Sequence, residues 1–232
     1  MNNNLVYRGM KYFWYLFVCN LAFLMGNSVL VFSLLNIKFT SLGLLFYLIG
    51  AILLFPNLLA LFATVRGVFL KKRENHLIRR YFSSLKENML EGLKMAPVYL
   101  GLLIVCLANL VFLGQNKLNG FSPFFLVLII LLALHLLIVM IVKAELIIGN
   151  KEAMKLSFYL ISKHGICGLV SVLLLFIAAT LVMMVPQYFT LFGFSALAGA
   201  STLLYRVPIK EAVATISGKD KQRERELMRQ LL

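Results

Sequence analysis

Acidic residues are scarce here: nine Asp and Glu stand against 23 Lys and Arg in 232 residues. None of the nine falls deep in an apolar run. That argues against a proton- or sodium-coupled mechanism built on a membrane carboxylate and leaves coupling through backbone carbonyls open. Cysteine is sparse too: Cys19, Cys106 and Cys167 form an odd set without metal-like spacing. Each sits in an apolar run, where a free thiol behaves as a small hydrophobe, so neither a disulfide nor a metal site is expected. The chain also lacks a nucleophile elbow, a P-loop, an HExxH pair, paired CxxC motifs and a dinucleotide fingerprint. No enzyme activity and no cofactor are therefore expected.

Apolar residues are abundant. They make up 61% of the chain, whereas an ordinary soluble domain is nearer half apolar, and the mean hydropathy is +0.91. A single all-α polytopic membrane domain over 1–218 follows, with a charged tail at 219–232. Arg8 and Lys11 precede the first apolar run as they would in a signal peptide. The run continues to about Asn36 without a small-residue cleavage site, so it reads as a retained span. A crossing helix needs about 20 apolar residues. Six stretches qualify: 12–35, 42–65, 96–113, 124–142, 166–185 and 188–205. Tyr12, Trp14 and Tyr15 suit an interfacial aromatic group at the first.

Charge orients these spans. With six of them, 21 of the 23 cations fall on one side and only Lys38 and Lys117 on the other. The positive-inside rule then places both termini of this multi-pass protein in the cytoplasm. The same rule, with attraction to anionic lipid headgroups, accounts for the net charge of +14, so nucleic acid is not expected as a partner.

Amphipathic stretches occupy the cytoplasmic side. Over 75–93, Leu77, Ile78, Tyr81, Phe82, Leu85, Met89 and Leu93 recur with helical period, with Arg79, Arg80, Lys86, Glu87 and Glu91 opposite. That pattern predicts a helix lying on the inner membrane surface. A second is expected at 150–164, with Asn150 as N-cap and Gly165 as its stop. A third is expected at 208–217, with Pro208 in its first turn. Each even-numbered span also ends on a cation: Arg66, Lys143 and Arg206. Three tandem hairpins, each two spans plus a surface helix, would explain this; ordinary basic inner loops would explain it equally well.

Candidate functional residues form three groups. Arg79, Arg80, Phe82, Leu85 and Lys86 offer a docking surface on the first amphipathic segment. Pro56 and Asn57 in mid-span, with the intramembrane His135, could mark a kinked, polar solute path. The plainer account gives Pro56 a structural bend and gives His135 and the amides Asn20, Asn27, Asn57 and Asn109 the role of interhelical hydrogen-bonding glue. Arg66, Lys143 and Arg206 could form a cationic inner mouth or simply anchor spans. The small-residue run Gly193–Ser201 permits close helix approach, within the chain or between copies; oligomeric state is left open.

The segment Pro56-Asn57-Leu58-Leu59-Ala60 through Thr64-Val65-Arg66 resembles the YesL-like bacterial membrane proteins. So do Arg80-Tyr81-Phe82-Ser83-Ser84-Leu85-Lys86-Glu87-Asn88 and the first span with Trp14 and Asn20. The resemblance covers the first half of the chain. It differs where that family has Pro-Ala-Thr-Ala and this chain has Pro56-Asn57-Leu58-Leu59. It implies a multi-span protein of a bacterial inner membrane, in a family of unknown biochemical function often encoded beside carbohydrate-uptake systems, and supplies no catalytic residues. Two functions are thus expected as alternatives. One is an accessory or permease-like protein that docks a membrane transport complex or a cytosolic partner through its basic helices. The other is an autonomous small-solute transporter or channel with a path near Pro56, Asn57 and His135.

Overall fold

The computed structural model describes residues 3–38, 40–70, 76–116 and 119–217. The basic run at 71–73, Lys117 and the tail at 219–232 lie outside them. The described chain is all-helical: α1 Asn3–Gly26, α2 Ser28–Asn36, α3 Ser41–Phe69, α4 Leu77–Gln115, α5 Ser122–Glu145, α6 Asn150–Lys163, α7 Gly165–Met184, the single turn α8 Pro186–Tyr188 and α9 Phe194–Ser217. A 3₁₀ turn at Asn119–Phe121 precedes α5, and a π-helical turn at Phe189–Gly193 joins α8 to α9. Among the described residues, five helices are long and apolar enough to cross a membrane. There are six if α1 and α2, bent by 72° at Asn27, count as one broken span.

α3 is the central element because it is apolar all round, and such a helix is stable only when surrounded. Thr40 caps its start by accepting from the Gly43 amide at 3.2 Å. From Phe55 to Val68 the helix is almost wholly buried, packed against α1, α4, α5 and α9. Its first half instead exposes Leu44, Leu45, Phe46, Leu48 and Ile49. α5 divides the same way, exposing Phe124, Val127, Ile130 and Leu131 and burying Leu137 through Val142. Exposed apolar surface on this scale fits contact with lipid tails and not with water.

Several boundaries differ from the sequence-based expectations. The segment at 75–93 is not a separate surface helix. From Leu77 it forms the first half of α4, continuous through Pro97. At 1.5 Å per residue that 39-residue helix is about 58 Å long, about twice the hydrocarbon thickness. Packing decides this outcome, since Tyr81, Gly92 and Met95 are buried and tie its first half to neighbouring helices. Likewise 208–217 continues α9, with Pro208 inside the helix. Only 150–163 stands as a helix of its own. There Gly149 takes the N-cap position, Asn150 is the first helical residue, and Gly165 begins α7 without stopping α6. Three equivalent hairpins with surface helices are therefore not what the chain forms. α3 also passes through Pro56 without a break. The broken element is α1–α2, where Gly26, Asn27 and Ser28 supply the weak turn.

Candidate functional site

Three clusters of buried polar residues each close a helix junction. At the first, Asn57 Nδ2 donates to Leu53 O at 2.8 Å and to Gly26 O at 3.2 Å, and Tyr81 Oη donates to Asn57 Oδ1 at 2.6 Å. One carboxamide thus joins the end of α1, the middle of α3 and the start of α4. The approach is close enough that a Cβ on Gly26 would stand 2.1 Å from Asn57 Oδ1. The backbone of the adjacent Pro56 lies against Gly92 of α4. This neighbourhood is packed and hydrogen-bonded, as the glue reading of Asn57 requires.

A second junction forms at the π turn. Widening a helix to i→i+5 takes backbone groups out of the ordinary ladder, and buried groups of that kind need other partners. Asn20 provides them: its Nδ2 donates to Thr190 O, while its Oδ1 accepts from the Ser195 amide at 3.1 Å. Ser195 Oγ donates to Leu16 O at 2.8 Å, fastening α1 further to the start of α9. Replacing Asn20 by Leu removes the donor and the acceptor together. The expected loss of folded stability is about 1–2 kcal/mol, measured by unfolding in mixed micelles. Unchanged stability would show the π turn to be satisfied some other way. Asn27 and Asn109 behave differently, each donating to the carbonyl four residues back in its own helix segment.

His135, on α5, sits at the third junction. Its Nδ1 is 2.8 Å from Tyr99 Oη, and its Nε2 is 3.3 Å from Ser157 Oγ and 3.4 Å from Met154 O. A neutral imidazole carrying its proton on Nε2 satisfies this set: Tyr99 donates to Nδ1, and Nε2–H faces α6. The Phe158 ring lies over the imidazole with centroids 4.1 Å apart. This matches the interhelical role expected for His135. It also separates His135 from Asn57, because the cleft beside it is lined from α4, α5 and α6 and includes neither Pro56 nor Asn57.

The cations that end the spans are not alike. Arg66 Nε is 2.7 Å from Glu145 Oε2, and its Nη1 donates to Ala144 O at 2.9 Å. Lys143 Nζ donates to Glu91 Oε2 at 3.1 Å and to Ile148 O at 3.0 Å. Arg206 is exposed. The expected ring of matching cations is therefore replaced by two inter-helix ion pairs and one outward arginine. The physical reason is burial, which makes an uncompensated charge too costly. Glu91 and Glu145 carry these pairs and were not singled out from the sequence. Their signal was position, since both stand at the edge of an apolar run in a chain with few acids.

The proposed docking set divides between two faces of α4. Arg79, Phe82 and Lys86 are exposed; Arg80 lies beside Gly67 of α3, and Leu85 packs toward the core. Met89 and Leu90 extend the exposed face. Among the described residues no cluster of His, Cys, Asp and Glu could hold a metal ion. No protein-family model matches the chain, and neither a curated protein nor a solved structure does.

Proposed function

We propose that this chain is an accessory, permease-like protein of a bacterial inner membrane, with both termini cytoplasmic. It would serve solute uptake by docking a partner on the first half of α4. Carbohydrate is the solute class implied by the resemblance to YesL-like proteins. The observation that carries the reading is the division of that half-helix. One face is locked to α3 through Tyr81 and Gly92, and on the other Phe82, Lys86 and Met89 are exposed among the described residues, with Arg79 beside Trp14 and Tyr15 of α1. A docking face built as a rigid continuation of a span loses little conformational entropy on binding. The reading is also supported by the use of Asn20, Asn57 and His135 in packing, which leaves them closing helix junctions.

The test is Phe82→Asp combined with Met89→Asp. Both side chains face outward, so membrane insertion and thermal stability should be unchanged. Recovery of a transport ATPase or a solute-binding protein with the detergent-solubilised chain should fall by roughly tenfold or more, as when a central apolar anchor is lost from an interface. Recovery of the same partner at the wild-type level would overturn the assignment of this face, and recovery of no such partner by the wild type would overturn the accessory role.

A further inference from the structure

The cleft between α4, α5 and α6 takes up none of the docking face and has its own chemistry. Its volume is about 370 Å³, within the range of roughly 300–1,000 Å³ typical of small-molecule sites. Val98 and Leu102 form one wall, Leu131 the other, and Phe158 of α6 closes one end over Tyr99 and His135. Although Tyr99 and His135 are polar, their hydrogen bonds are already made to each other and to α6. What remains open is an apolar slot on the exposed flanks of two membrane-length helices.

The α6 end of this slot is cationic. Lys151, Lys155 and Phe158 follow one another at helical i, i+4, i+7 spacing on the exposed face of α6. On α4, Lys94 is one turn from Val98 and 67% exposed. Asn150 Nδ2 donates to Glu91 O at 3.1 Å and so joins the start of α6 to this part of α4. Two carboxylates are nearby. Glu91 is engaged by Lys143 at 3.1 Å and Lys94 at 3.3 Å, and Glu152 lies on α6 beside Lys151. Four lysines against two glutamates leave the mouth positive.

We infer that the cleft holds an acyl chain of an anionic phospholipid, its headgroup phosphate resting on Lys151, Lys155 and Lys94. An apolar slot open to the hydrocarbon and ending at cations on one leaflet matches an acyl chain and its phosphate in both polarity and order. Basic pockets between spans are recognised sites for such headgroups.

The experiment reconstitutes the full chain in nanodiscs containing phosphatidylglycerol and phosphatidylcholine, re-extracts it in mild detergent and measures retained lipid by native mass spectrometry. The wild type should keep phosphatidylglycerol in preference to phosphatidylcholine. Leu131→Trp fills the slot from α5 and Leu102→Trp fills it from α4, so one remains informative if the other misfolds. Either should abolish retention. Leu173→Trp, on the exposed face of α7, should not. Lys151→Gln with Lys155→Gln leaves the slot intact and should cut the preference roughly thirtyfold. Equal retention of both lipids by the wild type, or retention that survives both tryptophans, would overturn the inference. So would a free fatty acid or another protein chain found occupying the cleft.

Discussion

Glu145→Ala should destabilise the folded bundle by about 3 kcal/mol, at the lower end of the cost of stripping one partner from a buried ion pair. Glu145 is 3% exposed and its partner Arg66 13% exposed, with Nε and Oε2 2.7 Å apart. Without the carboxylate, the guanidinium keeps its desolvation cost and loses its strongest compensation, retaining the 2.9 Å bond to Ala144 O. The single change is therefore worse than removing both charges. Arg66→Leu with Glu145→Leu should recover stability to within about 1 kcal/mol of wild type, because apolar isosteres often replace buried pairs at little cost. Equilibrium unfolding in mixed micelles measures both. A loss under about 0.5 kcal/mol for Glu145→Ala would mean that water reaches the pair and that it adds little to the hold between α3 and α5.

Gly92→Ala should cost about 2–3 kcal/mol, at the upper end of ordinary overpacking. A Cβ at Gly92 would stand 2.5 Å from both the Cα and the N of Pro56. These are backbone atoms of α3, so no rotamer change relieves the clash, and the two helices must separate. Separation also strains the Tyr81–Asn57 bond at 2.6 Å. On the same helix, Gly101 has nothing within 4 Å of the corresponding position. Gly101→Ala should therefore be neutral or slightly stabilising, since alanine is the better helix former. Opposite signs for two identical substitutions nine residues apart would isolate close approach as the cause. A similar small effect for both would show that α3 and α4 are not in contact at this level.

These two sites show where sequence reading reached its limit. The apolar runs were legible because lipid imposes a length and a composition on any helix that crosses it. Pro56 stood out as a helix-breaking residue, yet α3 runs through it, and the break falls at Asn27. Gly92 carried no special signal, because a glycine's role depends on which atoms of another helix it faces. The amphipathic period at 77–93 was read correctly as helical. Whether that helix lies on a surface or extends a span depends on its burying Tyr81 and Gly92 against the rest of the bundle.

The cations follow the same division. Their placement at span ends is a one-dimensional property, and the chain alone determined it, together with helical class and the approximate number of spans. Charge pairing is a matter of distance through space. Only the tertiary structure joined Arg66 to Glu145, 79 positions apart, and Lys143 to Glu91, 52 positions apart. It also set Pro56 and Asn57 at one junction and His135 at another, and opened the cleft beside α6. Hydrophobic length is summed along a chain, whereas a hydrogen bond, an ion pair or a cavity exists only between segments brought together by packing.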